Sequence, residues 1–171
     1  MLKKMIMAGF LVVFLGFFIY AQVDSQWRGP KRDGIYPGET LLKKWPQQGP
    51  KLLWSVNGLG EGHSSAAVTN SHVYITGMID GNGFLWCFDT GGKKMWTYAY
   101  GPEWDEGHPG ARTTPTIIGN LIYFMSARGV VHCIDTKGKK KWSVDLMEEF
   151  SARNLKWGMT ESLLVDGDRV F

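Results

Sequence analysis

The chain has 171 residues, 44% of them apolar and 13% aromatic, which is enough to fill the core of one ordinary domain. A formal charge of +3 gives little attraction for a polyanion, and part of it sits at Lys3 and Lys4, so nucleic-acid binding is disfavoured. Eight Trp and 22 Gly point to tight turns packed with large rings rather than to long helices, whose interiors glycine weakens.

In chain order, the two lysines precede an apolar run, MIMAGFLVVFLGFFIYA, and then polar QVDSQ. A basic start, an apolar stretch and Ala21 before Gln22 read as a secretory signal peptide over residues 1–21. The run is 17 residues long, the lower edge of a membrane span, so an uncleaved anchor helix is the alternative. Both readings export the remainder to the periplasm or the cell exterior and allow membrane contact only through an uncleaved leader. Residues 22–49 carry no clear periodicity and read as an extended lead-in.

Residues 50–171 are repetitive. SSAAVTNSHVYIT (64–76) aligns with TTPTIIGNLIYFM (113–125) at an offset of 49, and with ESLLVDGDRVF (161–171) after 48 more. Each copy reads as a short strand, a turn rich in Asn, Asp or Gly that tolerates positive φ, and a second strand. CFDTGGKKMW (87–96) and CIDTKGKKKW (133–142) then recur 46 residues apart. FLWCFD and VVHCID are third strands, Asp-Thr and Gly make a turn, and a fourth strand opens at the Trp. Four short antiparallel strands in this span match the repeat length of β-propeller blades. The predicted fold is therefore all-β, a partial propeller of two full blades with flanking strands. PKLLWSV (50–56) reads as the outer strand of a further blade. The remaining blades are expected from a longer chain.

Blades pack face to face, so Trp54, Trp96 and Trp142 are predicted to fill the gaps between sheets. Cys87 and Cys133 stand at equivalent positions of adjacent sheets, about 10 Å apart and beyond the ~7 Å reach of a disulfide. Both read as small buried core residues.

These phrases resemble the pyrroloquinoline-quinone-like β-propeller repeat family, whose blades carry an Ala/Cys-x-Asp-x-x-Thr/Gly-Gly-Lys-x-x-Trp phrase. QWRGPKRDGIYPGETLLKKWPQQGPKLLWSVNGLGEGHSS is similar to the start of its exported bacterial members. The resemblance covers residues 26–171 and implies the fold rather than an activity. The family includes quinoprotein alcohol and glucose dehydrogenases, which bind pyrroloquinoline quinone and Ca²⁺, and a non-enzymatic scaffold lipoprotein. The vicinal cysteine pair of many such enzymes is absent, no Ca²⁺ ligand set transfers, and no catalytic residue is carried over.

Topology places a candidate site at the channel mouth, where the loops GLGEGHSS, PEWDEGHPGARTT and LKWGMTES lead into the innermost strands. The predicted funnel residues are Glu61, His63, Arg112, Trp157 and Glu161, with Trp104 close by. His63, Arg112 and Thr160 are equivalent in the repeat. Arg112 is expected to tie down a neighbouring loop through Glu61 or Glu161. Asp105 and Glu106 read as solvated surface, and His72 and His132 as structural. No metal site, phosphate loop or nucleophile motif is visible. The leading expectation is an exported module that binds a protein or carbohydrate partner without chemistry. The alternative is the N-terminal part of a quinoprotein dehydrogenase, which would take the quinone and Ca²⁺.

Overall fold

A computed structural model describes residues 23–36, 42–154 and 156–171; the predicted leader helix lies outside them. A short strand β1 (Val23–Ser25) is followed by four strands, β2 (Ala67–Val68), β3 (His72–Ile79), β4 (Asn82–Asp89) and β5 (Lys94–Pro102). Four more follow, β6 (Thr116–Ile118), β7 (Leu121–Met125), β8 (Val130–Asp135) and β9 (Lys140–Asp145). A single helical turn α1 (Leu146–Glu149) and the strands β10 (Val165–Asp166) and β11 (Arg169–Val170) end the chain. Strands β2 to β5 form one antiparallel sheet in sequence order, β6 to β9 form a second, and β10 pairs with β11. Strand β1 adds itself to the free edge of β6.

The sequence repeat is a structural one. Cys87 faces Trp96 across β4 and β5, and Cys133 faces Trp142 across β8 and β9, with a register irregularity just after each cysteine. In both copies the Asp side chain folds the turn: Asp89 Oδ1 accepts from Gly91 N and Lys93 N, and Asp135 Oδ1 from Lys137 N and Lys139 N. The link between β3 and β4 is a two-residue turn with Asp80 at φ 50° and Gly81 at φ 74°, the twist that matches flanking strands. The first hairpin departs from expectation. Asn70 does not take a positive φ; instead Thr69 Oγ1 both donates to His72 O and accepts from His72 N, closing the turn with a side chain.

The sheets pack face to face. Tyr74, Leu85 and Cys87 of the first meet Ile122, Phe124 and Ile134 of the second, and Trp96, Tyr98 and Tyr100 cover the seam. Burying each large apolar side chain contributes roughly 1.5–3 kcal/mol, so this seam is a main source of stability. Both cysteines are buried free thiols, as expected. Burial pushes the Cys87 thiol up to about 11, which keeps it protonated and inert.

One contact recurs from sheet to sheet. Trp96 at the head of β5 donates its Nε1–H to Thr136 O at 3.1 Å, in the Asp-Thr turn of the second sheet. Trp54 does the same to Thr90 O of the first sheet at 3.0 Å. Each indole lies over the glycine that ends the turn. A Cβ on Gly138 would stand 3.0 Å from Trp96 Cδ2, and one on Gly92 would stand 2.7 Å from Trp54 Cδ2. Both glycines also sit at positive φ, 83° and 88°, so the position excludes a side chain on two counts. Trp142 differs from the expectation that it fills a gap. It is 38% exposed and rests on Tyr123 of its own sheet, because the described residues offer it no third turn.

Two further expectations need correction. Residues 50–56 form no strand, since no described strand lies alongside to share hydrogen bonds, and Leu52 and Leu53 face solvent. The Trp54 indole anchors the segment on the Thr90 carbonyl and the Phe88 ring. The lead-in is not simply extended either: after β1 it folds into tight turns, with Arg28, Gly29, Arg32 and Gly34 all at positive φ.

His132 lies inside the seam, 4% exposed, with its ring stacked on Phe124 at 5.0 Å and tilted against Tyr100 at 5.4 Å, and neither ring nitrogen has a hydrogen-bond partner. Burial first, and the Lys140 charge second, hold the imidazole down at about 4. The unfolded chain takes up this proton near pH 6.5, before the folded one does, so folded stability is retained above that pH and declines as pH falls towards 4. The loss is expected to reach about 3 kcal/mol. Urea unfolding at pH 7 and pH 4.5 checks it: the drop in midpoint should shrink in His132→Phe, and an equal drop in both proteins would contradict the assignment.

Candidate functional site

The segments leading into β2, β6 and β10 are joined by a ladder of small polar residues. Ser65 N donates to Thr114 Oγ1 at 3.0 Å, and Thr114 N donates to Ser162 Oγ at 3.1 Å, so the same exchange is repeated from one unit to the next. Thr116 Oγ1 adds a buried bond to Leu163 O at 2.8 Å. These contacts hold the three loops that precede the strands in fixed order. They also give the hydroxyls at the second position of the second and third copies, Thr114 and Ser162, a structural role.

The middle loop is organised by Glu103, a residue that reading the sequence missed. It is 1% exposed. Its Oε1 accepts from Trp104 N at 2.8 Å and Ala127 N at 2.7 Å, and its Oε2 accepts from Tyr100 Oη at 2.7 Å. Burial raises the Glu103 carboxyl above the usual range, while these hydrogen bonds and the Arg112 charge pull the other way. Ala127 lies in the turn between β7 and β8, so one carboxylate couples the end of the first sheet to the second. Arg128 reinforces the joint: Nε donates to Glu103 O at 2.8 Å, Nη2 pairs with Asp105, and the guanidinium lies 5.9 Å from the Trp104 ring.

Arg112 does not reach either of its predicted partners. Nη2 donates to His108 O within its own loop, and the guanidinium carbon lies 6.0 Å from the Trp104 ring on which it packs. The short distance along one loop favours this closure over a longer reach to Glu61 or Glu161. Glu161 instead accepts from Thr160 N, and Glu61 acts through its backbone, exchanging hydrogen bonds with Met78 at 2.8 Å. His63 N donates to Ala111 O at 2.7 Å, and its ring Nε2 stands 3.3 Å from Pro109 O. Trp157, 53% exposed, stacks on His108 with ring centroids 6.1 Å apart, and the Lys156 ammonium lies 4.8 Å from its ring.

The structure thus brings His63, Arg112 and Trp157 against one loop, residues 104–110, while Glu61 meets Gly110 of that loop through its backbone and Glu161 accepts from Thr160 N. Beside Trp104 opens a cavity of about 580 Å³, lined by Glu106, Arg128, Met147, Asn154 and Lys156. Such a surface can hold a polar partner through rings and charges. Among the described residues, no group of three or more His, Cys, Asp or Glu side chains could hold a metal ion.

Glu103 and Arg128 were hidden in the sequence for a clear reason. PEWDEG has the composition of a solvated loop, and only the arrival of Ala127, from the turn between β7 and β8, shows which of its three acids turns inward. No protein-family model matches the chain, and no curated protein matches it.

Proposed function

We propose that the chain belongs to an exported β-propeller of the pyrroloquinoline-quinone-like repeat type and serves as a binding module without chemistry of its own. The stacked repeat units and the indole-on-turn contact passed from one to the next support the propeller. In that ring Trp142 would seat on the Asp-Thr turn of a further blade.

The observation that carries the binding reading is the fate of the mouth residues. Glu103 is engaged by three hydrogen-bond donors, Arg112 by a carbonyl and Glu161 by a backbone amide. Groups committed to positioning loops are poorly placed to shuttle protons. They build a stiff surface on which Trp157, His108 and Lys156 are displayed, and stiffness lowers the ordering cost of binding a protein or carbohydrate partner.

The test is to add pyrroloquinoline quinone and Ca²⁺ to the full-length protein. No quinone absorbance on the purified protein and no dye-linked alcohol oxidation are expected. Stoichiometric quinone with turnover would replace this reading by the dehydrogenase one.

A further inference from the structure

The lead-in builds a second site away from the loop of residues 104–110. Over residues 26–36 the backbone takes left-handed conformations at Arg28 (φ 64°) and Arg32 (φ 57°), neither of them glycine. Each costs on the order of 1–3 kcal/mol and persists only where neighbouring contacts hold it. Those contacts are present. Buried Gln26 donates from Nε2 to Gly29 O and Pro30 O, both at 3.0 Å, and its Oε1 accepts from Arg32 Nε at 3.0 Å. The Arg32 guanidinium continues to the carbonyls of Ser162 and Leu163, bolting the turn to the third repeat unit.

The fixed turn displays two half-exposed rings, Trp27 at 48% and Tyr36 at 57%. Tyr36 packs on Gly29, where a Cβ would stand 3.2 Å from Tyr36 Cε1. The Arg28 guanidinium carbon lies 5.6 Å from the Trp27 ring centroid, and Arg28 has no ion pair among the described residues. Between these groups lies a cavity of about 230 Å³, lined also by Ser65 and Thr114, which precede β2 and β6. Its lining contains a cation and no carboxylate.

We propose that this cavity binds one sugar unit of an acidic polysaccharide, a uronate, with the ring set against Trp27 and Tyr36 and the carboxylate on Arg28. Three features select this ligand. Aromatic faces pack against the C–H face of a pyranose while leaving its hydroxyls wet. A guanidinium laid over an indole keeps its N–H edge free for bidentate pairing with a carboxylate. The cavity is smaller than the roughly 300–1,000 Å³ of drug-sized ligand sites, which suits a single ring whose chain continues into solvent. The site shares no side chain with the loop surface around Trp157, so it stands whether or not that surface binds a partner.

Calorimetric titration of the full chain tests it with three probes: trigalacturonate, its methyl ester and poly-L-glutamate. Trigalacturonate is expected to bind, with the ester at least tenfold weaker. Trp27→Ala and Arg28→Asn should each weaken binding at least tenfold. Asn tolerates the left-handed backbone at position 28, so a thermal melt unchanged from wild type separates loss of contact from loss of fold. Absence of trigalacturonate binding, equal binding by the variants, or tighter binding of polyglutamate would each overturn the proposal, the last in favour of an acidic peptide.

Discussion

Trp96→Ala is expected to lower the unfolding free energy by about 3–5 kcal/mol, whereas Trp142→Ala should cost about 1 kcal/mol or less. The two residues occupy equivalent places in the repeat, each opposite a cysteine across the outermost strand pair. What differs is the neighbour. Trp96 lies over Gly138 and bonds Thr136 O in the next sheet, so its removal opens a cavity in the seam and leaves a carbonyl unpaired. Trp142 is 38% exposed and contacts only its own sheet's Tyr123 among the described rings. Against a typical total of about 5–15 kcal/mol, the Trp96 loss is large. Urea unfolding with unchanged slope measures both. Trp96→Phe, which keeps most of the packing and loses the N–H bond, should fall between. Equal losses at 96 and 142 would show that the indole-on-turn contact does not join the sheets.

Glu103→Ala should be nearly as costly, about 3 kcal/mol or more, because it strands the buried N–H groups of Trp104 and Ala127 and the Tyr100 hydroxyl together. Glu103→Gln keeps a carbonyl oxygen for the two amides and should cost about 1 kcal/mol. Their ratio separates a hydrogen-bond hub from a charge effect. The pH dependence supplies a second reading. Burial holds the Glu103 carboxyl above its ordinary value of 4.5, so the folded state binds this proton more tightly than the unfolded chain. That contribution is complete below pH 4.5 and is lost as pH rises through the folded value. The penalty of Glu103→Gln should therefore be larger at pH 4 than at pH 7. If Ala and Gln cost the same, the carboxylate is not the acceptor that joins the two sheets.

Much of the architecture was legible before any coordinates. Strands β3 to β9 fall where the repeated phrases place them, because alternating apolar residues, Asp-Thr turns and left-handed glycines are local features with local causes. The candidate site was legible only in part. His63, Arg112 and Trp157 each contact the loop of residues 104–110, through Pro109 O, His108 O and the His108 ring. Their partners were not readable: Arg112 closes on His108 O, and Glu161 on its neighbour's amide. Long side chains in Gly-rich loops have several acceptors within reach, and the choice depends on backbone geometry that composition does not encode. The lead-in reads as extended in the sequence because its turns are held by the Gln26 side chain and by Arg32, which bonds across to residues some 130 positions away.

By itself, then, the sequence determined the β character, the repeat, the turn chemistry and the burial of both cysteines, since each follows from short-range periodicity and backbone preference. Tertiary structure alone decided which of the three tryptophans are seated, which of the three acids of PEWDEG becomes the buried hub, and that β1 pairs with the free edge of β6. Those outcomes depend on what a distant segment brings alongside: an indole needs a facing turn, a carboxylate needs donors from another strand, and neither need is written near the residue that has it.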